Sequence, residues 1–263
     1  MLIDTHCHLD APEFAADRDA VAREAAVAGV AAMIVPAVAP ENFAAVRACC
    51  ERHAGCHPAY GAHPLYVDSV DETAIDRLRA RLETELAGPH PPLAVGEIGL
   101  DFYVPGFDAA RQEFFFAEQL KIARDFDLPV LLHTRRSVDA ALKCLRRIGT
   151  RGGIAHAFNG SRRQADEFLR LGFRLGFGGA MTFPRATRIR GLAASLPEEA
   201  IVLETDAPDI PPAWLDGKRN TPGELPRIAA VLAGLRAASR AEVARFTTAN
   251  AVSALKFPAI ANG

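Results

Sequence analysis

Two histidines separated by one residue follow the first apolar run of the sequence, where residues 4–8 read DTHCH. In a β-strand, residues two apart point to the same face, which brings Asp4, His6 and His8 together and turns Cys7 away. Two adjacent imidazoles can chelate one metal ion, but a pair of hydrogen-bonded structural histidines is an equally good interpretation of the motif alone. Other parts of the sequence must decide between them.

The same pattern recurs at the ends of four later apolar runs. These ends read GEIGLD (96–101), LLHT (131–134), IAH (154–156) and LETD (203–206). Buried strand ends seldom carry ionisable groups without compensation, because an unpaired buried charge is unfavourable. If the strand ends converge, five runs offer four histidines and two carboxylates to one volume.

Six such ligands exceed what one tetrahedral ion takes, and a carboxylate can bridge two ions. We therefore predict two divalent metal ions about 3.5 to 4 Å apart, with Glu97 as the bridge. Mixed nitrogen and oxygen ligands suit Zn, Mn, Fe or Co better than Ca, and a carboxylate-rich half-site suits Mg. Asp4 and Glu204 each lie two residues before a candidate ligand, on the same inward face. We expect them to orient ligands from behind, the alternative being buried polar residues with a purely structural role.

Eight short apolar runs, each followed by a more polar stretch with helical spacing, must position these residues. The runs lie near residues 2–6, 30–37, 56–62, 93–98, 129–134, 153–157, 173–178 and 201–205. Residues 111–126, for example, have the three- and four-residue apolar spacing of an amphipathic helix. Alternating strands and helices indicate α/β architecture with a parallel sheet, and eight units in about 250 residues is the size of a (β/α)8 TIM barrel. An open doubly wound sheet would give a similar pattern, but a barrel brings the polar strand ends to one face.

Motifs along nearly the whole chain resemble the signatures of the TatD family of metal-dependent deoxyribonucleases, in their usual order. They are DTHCHLD (4–10), GAHP (61–64), GEIGLD (96–101), LPV (128–130), HAFNG (156–160) and LETDAP (203–208). The resemblance implies a metal-dependent hydrolase with a (β/α)8 barrel of the amidohydrolase-like kind. The metal ligands that it implies are His6, His8, Glu97, His133, His156 and Asp206.

The chemistry implied by this resemblance is hydrolysis by a metal-activated water. Asp206 and Glu97 would be the catalytic carboxylates, with Asp206 binding one ion and taking or relaying the proton of the water. The chain departs from the family pattern at Ala157 and Asn159, where Cys and Ser are common, and at residues 216–220. These positions flank the ligands, so they bear on substrate preference more than on metal binding.

Basic residues cluster in the loops that we expect at the carboxyl ends of the strands. The pairs are Arg135 and Arg136, Arg162 and Arg163, Arg185 and Arg188, and Lys218 and Arg219. Guanidinium groups suit phosphate oxygens, and helix N-termini, where several of these residues would lie, bind phosphate well. The residues predicted to bind substrate are His63, Arg135, Arg162, Arg163 and Lys218.

Aromatic residues occur in the same loops. They are Phe102, Tyr103, Phe158, Phe183 and Trp214. Such side chains can stack on a splayed base, as in proteins that bind single strands, although loop aromatics more often simply pack.

The leading hypothesis is a phosphodiesterase that trims single-stranded ends of DNA, because a deep barrel mouth admits an end more easily than an intact duplex. The alternative keeps the metals but hydrolyses an ester or amide, for example an aminoacyl ester on tRNA, since a fold does not fix a function. A non-enzymatic, metal-dependent binding module would predict an incomplete ligand set.

Composition limits the remaining possibilities. The chain has 263 residues, 24% of them charged, and a formal net charge of -2. This is ordinary composition for one globular domain, here residues 1–263, and any binding of nucleic acid must depend on local basic patches. The start of the chain lacks the basic region of a signal peptide. The five cysteines form no C-x-x-C pair, and their odd number would leave one thiol unpaired in an oxidising compartment. The longest uncharged stretch is interrupted by Gly29 and Pro36, which does not suit a membrane span. We expect a cytoplasmic protein with no membrane association and no obligate protein partner.

Overall fold

Eight parallel β-strands form the centre of the fold. The computed structural model describes residues 1–255 and 257, and its strands are β1 (Leu2–Asp4), β2 (Val30–Pro36), β3 (Cys56–Tyr60), β4 (Ala94–Asp101), β5 (Val130–Arg135), β6 (Gly153–Ala155), β7 (Phe173–Phe177) and β8 (Ile201–Leu203). Each strand falls on one of the eight apolar runs of the sequence. Most strand residues are buried, as expected where helices cover a parallel sheet.

The strands pair in sequence order, and every pair is parallel. Beyond the ends of β8 and β1, the Thr5 amide donates to the Leu203 carbonyl (3.1 Å) and the Asp206 amide to the His6 carbonyl (2.8 Å). These contacts make the sheet a nearly closed barrel. The predicted (β/α)8 fold is confirmed, and the doubly wound alternative, which requires strands out of sequence order, is excluded.

Helices surround the barrel. They are α1 (Arg18–Val27), α2 (Phe43–Arg52), α3 (Thr73–Glu85), α4 (Ala109–Asp125), α5 (Val138–Ile148), α6 (Arg162–Arg170), α7 (Thr187–Ser195), α8 (Leu225–Arg236) and α9 (Arg240–Leu255). Helix α4 begins slightly before the predicted residue 111 because the Asp108 carboxylate caps it by accepting a hydrogen bond from the Arg111 amide (3.0 Å). In the described part of the chain, we find no helix with the length and apolar character that a bilayer crossing requires.

The two ends of the barrel differ in chemistry. At one end, apolar side chains from several strands, among them Ile3, Leu131 and Val202, pack together and against Leu255 of α9. The loops that follow the strands surround a cleft of about 1280 Å³ at the other end. This is the face on which barrel enzymes carry their active sites.

Candidate metal centre

The ends of five strands bring the predicted ligands together at the floor of the cleft. His6 and His8 follow β1, Glu97 lies in β4, His133 lies in β5, His156 follows β6, and Asp206 follows β8. All six are buried or half-buried. Together with His63, their ligand atoms form three groups tight enough to hold a metal ion: His6, His8 and Glu97; His6, His156 and Asp206; and His63, Glu97 and His133.

The first cluster joins the two histidines of the DTHCH motif to Glu97. His6 Nε2 lies 3.3 Å from His8 Nε2 and 3.1 Å from Glu97 Oε2. Two nitrogens bound to one tetrahedral ion at 2.0 to 2.1 Å are about 3.3 Å apart, so the two imidazoles fit one ion. Asp206 Oδ1 lies 3.7 Å from His6 Nε2 and 3.8 Å from His8 Nε2. A second carboxylate oxygen is therefore close to the same position.

The other oxygen of Glu97 faces different histidines. Its Oε1 lies 2.9 Å from His133 Nδ1 and 4.0 Å from His156 Nε2. His156 Nε2 is also 3.7 Å from Asp206 Oδ1. One carboxylate thus divides its oxygens between two groups of nitrogen ligands, which is the arrangement that a bridging role requires.

Two further carboxylates determine which nitrogen each imidazole presents to the centre. His133 Nε2 lies 3.1 Å from Asp101 Oδ2, and His156 Nδ1 lies 3.2 Å from Glu204 Oε1. The hydrogen bond to Asp101 keeps the proton of His133 on Nε2, and the negative charge of Glu204 favours a proton on His156 Nδ1, so in each ring the opposite nitrogen is free to bind a metal. His133 therefore presents Nδ1 and His156 presents Nε2.

Asp4 contacts the backbone of a ligand rather than its ring. Its carboxylate accepts hydrogen bonds from the Thr205 hydroxyl (2.5 Å), the Thr205 amide (2.9 Å) and the His6 amide (3.3 Å). It therefore ties the end of β1 to the end of β8. Glu204 contacts a ligand ring as expected, whereas Asp4 positions the main chain from which His6 projects.

The charges of the cluster are coupled. Burial alone would raise the pKa of Glu97, but His63 and His6 hold it well below its usual range. Burial lowers the pKa of His6 to about 3. Burial also disfavours the charged form of His156, but the carboxylates of Glu204, Asp206 and Glu97 together outweigh this effect and raise its pKa to about 10. Without metal, protons on histidines balance the buried carboxylates, so metal binding must displace protons.

His63, which we expected at a phosphate, lies inside the cluster. It is 7% exposed, and its Nε2 lies 3.5 Å from Glu97 Oε1. Its Nδ1 accepts a hydrogen bond from the Leu65 amide (3.2 Å), so the neutral ring carries its proton on Nε2. Burial lowers the pKa of His63 and favours this neutral form. Such a ring donates to a carboxylate or phosphate oxygen and has no lone pair facing the centre.

The structure brings only one of the four predicted cationic contacts to the cleft. Arg135 lines it, whereas Arg162, Arg163 and Lys218 are exposed and lie outside the described residues that form its walls. Arg162 instead pairs with Asp166, four residues further along α6 (2.9 Å). The orientation of α6 places this side chain along the helix rather than over the cleft.

The loop aromatics divide in the same way. Phe102 and Tyr103 line the cleft. Phe158 is 1% exposed and packs against Phe168, and the Trp214 indole donates to Glu224 (2.6 Å). Packing therefore accounts for Phe158 and Trp214. Of the five predicted loop aromatics, Phe102 and Tyr103 are the two that line the described cleft, and Phe183 lies outside its lining.

Asp101 contacts the candidate ligand His133, a role that the sequence did not lead us to predict. Strand β4 extends three residues beyond the predicted run and ends at Asp101. Residues four apart in a strand share a face, so Glu97 and Asp101 both point inward. The alternation within GEIGLD is the signal that would have identified it.

We predict that Asp101→Asn weakens metal binding by about 10- to 100-fold, the usual effect of losing a partner behind a ligand. The Asp101 carboxylate accepts from both His133 Nε2 and the Tyr103 amide (2.8 Å), and an asparagine has one oxygen for these two donors. Titration of the metal-free protein with Mn²⁺ measures the affinity, and Asp216→Asn, in an exposed loop, is the control. Unchanged Mn²⁺ affinity would show that Asp101 does not position His133.

Together, the nearly closed barrel and the convergent histidines and carboxylates define a metal-dependent hydrolase of the (β/α)8 class. Residues 3–256 match the family model described as TatD related DNase. The chain belongs to the TatD family of metal-dependent hydrolases, and the resemblance inferred from its motifs is confirmed. It is therefore an enzyme that hydrolyses ester bonds.

Individual relatives agree with this assignment. The chain is 40% identical to the uncharacterized metal-dependent hydrolase YjjV of Escherichia coli over 257 residues, which covers 97% of this chain and 98% of that protein. The crystal structure of YjjV matches with a TM-score of 0.93 over 98% of both chains. A Cronobacter sakazakii protein named 3'-5' ssDNA/RNA exonuclease TatD is 32% identical over 260 residues, covering 95% of this chain and 96% of that one.

Proposed function

We propose that the protein is a phosphodiesterase that uses two divalent metal ions to shorten single-stranded DNA from an end. The observation that carries the proposal is the position of Glu97, whose two oxygens face separate groups of histidines at the floor of a cleft that Arg135 also lines. A pair of ions sharing one carboxylate suits displacement at phosphorus, where both the attacking and the leaving oxygen need stabilisation.

The six ligands would hold the ions, with Mg, Mn and Zn as candidates for this donor set. When bound, such ions lower the pKa of water and polarise a phosphoryl oxygen. Asp206 lines the cleft, where its carboxylate would accept the proton of the attacking water. His63 Nε2–H would donate to an oxygen of the scissile phosphate, and the Arg135 guanidinium would bind a phosphate further along the strand.

The size of the cleft supports a polymeric substrate. Its volume of about 1280 Å³ exceeds the roughly 300 to 1,000 Å³ of typical small-molecule sites. The floor of the cleft is enclosed by loops from several strands, so a scissile bond must enter by way of a flexible strand or an end. The name of the Cronobacter relative, a single-strand exonuclease, agrees with this geometry.

The proposal is tested by comparing substrates on one metal-loaded preparation. The substrates are a single-stranded oligonucleotide, its duplex and an activated carboxylic ester, each with Mg²⁺, Mn²⁺ or Zn²⁺. We expect the single strand to be degraded at least tenfold faster than the duplex and the ester to react weakly. Rapid hydrolysis of the ester with no cleavage of either DNA would favour the ester or amide alternative.

Arg162, Arg163 and Lys218 stay predicted contacts for a strand that continues beyond the cleft. If Arg162 and Arg163 each bind a phosphate, replacing either by Gln should reduce the slope of log K against log salt by about 0.7 for single-stranded DNA. Binding titrations at several salt concentrations measure this slope. An unchanged slope in either variant would remove the replaced residue from the binding surface.

A further inference from the structure

One wall of the cleft carries an exposed tyrosine stacked with two arginines. Tyr103, in the loop after β4, is 46% exposed. The Arg135 guanidinium carbon lies 3.7 Å from the centre of its ring, and that of Arg136 lies 4.6 Å from the same centre. All three side chains line the cleft. Two cations and one aromatic ring are thus concentrated at a single point of the mouth.

Strand pairing fixes this group beside the metal centre. Asp101 of β4 is in register with Arg135 of β5, and the Phe102 amide donates to the Arg135 carbonyl (2.8 Å). The Tyr103 amide donates to the Asp101 carboxylate, which also contacts the ligand His133. The Asp101 carboxylate therefore fixes both the main chain of Tyr103 and the ring of the candidate ligand His133.

The positive charges of the two guanidinium groups are not neutralised by a described carboxylate. Among the described residues, neither Arg135 nor Arg136 forms an ion pair with a carboxylate, whereas Arg162 and Arg219 pair with Asp166 and Asp17. Arg136 also has a φ of 57°, in the left-handed region that residues with a Cβ uncommonly adopt. Both consecutive arginines line the cleft, where their charges are available to an anion.

Exposed apolar surface is concentrated at the same wall. Of the six large apolar side chains that are exposed in the described part of the chain, Leu65, Tyr66 and Tyr103 line the cleft. Leu65 and Tyr66 belong to the loop after β3, next to the loop that carries Tyr103. Aromatic surface beside unpaired arginines is the combination with which proteins bind single-stranded nucleic acid, because bases stack on rings and guanidinium planes while phosphates pair with the charge.

We propose that Tyr103, Arg135 and Arg136 form a nucleotide subsite, in which an unpaired base joins the aromatic stack and the arginines bind the phosphate adjacent to the scissile one. The inference deepens the proposed function and rests on it, since it assigns the neighbouring nucleotide of a single-stranded DNA substrate to one wall of the cleft. It predicts that the enzyme distinguishes an oligonucleotide from a diester that lacks a second nucleotide.

The test compares two substrates across matched variants of the metal-loaded protein. The substrates are a fluorescently labelled (dT)10 strand and bis(p-nitrophenyl) phosphate, which has one phosphate and no base. For Tyr103→Ala and for the double variant Arg135→Gln/Arg136→Gln, we expect kcat/KM to fall at least tenfold on (dT)10 and less than twofold on the small diester. Tyr103→Phe, which keeps the ring, should retain (dT)10 activity within about threefold. A salt slope reduced by about 0.7 per lost phosphate contact should accompany the arginine changes.

Controls separate this subsite from general effects. Phe114→Ala removes an exposed aromatic ring outside the described cleft lining, and Arg240→Gln removes an exposed charge at the start of α9. Both should behave as wild type. Equal losses on the two substrates, or none on (dT)10, would overturn the subsite.

Binding keeps the inference testable if the proposed function fails. If wild-type protein cleaves neither substrate with any metal, the phosphodiesterase proposal fails, and fluorescence anisotropy with (dT)10 then decides on the subsite. Weaker binding by at least tenfold in the Tyr103 and arginine variants would support it. Equal binding by the wild type and these variants would overturn it.

Discussion

Replacing Glu97 by glutamine is expected to reduce hydrolysis by at least about a thousandfold, which corresponds to about 4 kcal/mol of transition-state stabilisation. The substitution preserves the shape of the side chain but turns one of its two oxygens into an amide nitrogen, which cannot bind a metal. Because the oxygens face different histidine groups, one group loses its shared ligand in either orientation of the amide. Metal analysis after dialysis should show the loss of at least one ion per chain relative to wild type.

Glu85→Gln is the matched control for this substitution. Glu85 is equally buried, but it lies in α3 and accepts hydrogen bonds from Arg47 and Arg81 (2.7 Å each), away from the cleft. We expect Glu85→Gln to lower thermal stability while metal content and activity per folded molecule stay at the wild-type level. Normal turnover and metal content in Glu97→Gln would contradict the bridging role.

Asp206→Asn is expected to lower kcat by about a hundredfold to ten-thousandfold, the range typical of a lost proton-transfer group. Asparagine keeps one oxygen near His6 and His156 but cannot accept a proton at neutral pH. Its effect on metal content should therefore be smaller than that of Glu97→Gln. Burial raises the pKa of Asp206, and although His156 opposes this effect, the pKa remains near 6, so the wild-type carboxylate is largely ionised at pH 7 to 8.

The comparison between variants identifies the role of Asp206. Asp216→Asn, the same substitution in an exposed loop ten residues further along, should have no effect. If Asp206→Asn loses activity only in proportion to lost metal, Asp206 is a ligand and not a proton acceptor. Full activity would exclude it from both roles.

The strand pattern and the convergence of the candidate ligands could be predicted from the sequence because both depend on local signals. Runs of apolar residues located all eight strands, since parallel strands in a barrel are buried on both faces. Ionisable residues at the ends of such runs are rare without a function, so His133 and His156 were conspicuous. Strand direction then brought them together, because the carboxyl ends of parallel strands meet at one face.

The orientations of loop and helix side chains could not be predicted in this way. Arg135 is the last residue of β5 and therefore projects at the end of its strand. Arg162, by contrast, is the first residue of α6, where the Ser161 cap and the buried Phe168 set the rotation of the helix. Lys218 lies in a long loop whose path depends on Asn220, which donates to the carbonyls of Thr205 (2.8 Å) and Asp209 (2.9 Å). These are tertiary contacts without a periodic signal in the sequence.

The depth of His63 and the role of Asp101 also depend on neighbouring strands. The GAHP motif placed His63 at the mouth, but the position of its ring near His133 follows from the packing of adjacent strand ends. Asp101 gained its role because β4 continues to pair with β5 as far as Arg135. The length of a strand is decided by its partner, and a single apolar run does not reveal it.

The most direct test of the account is to incubate metal-free protein with end-labelled single-stranded DNA and add Mg²⁺, Mn²⁺ or Zn²⁺ in turn, with Asp206→Asn prepared in parallel to exclude a contaminating nuclease. We expect no cleavage without metal, progressive shortening of the strand with at least one of the metals, and loss of that shortening in the variant. Intact DNA with all three metals, in protein shown to bind two ions per chain, would contradict the central claim that this TatD-family site hydrolyses phosphodiester bonds of DNA.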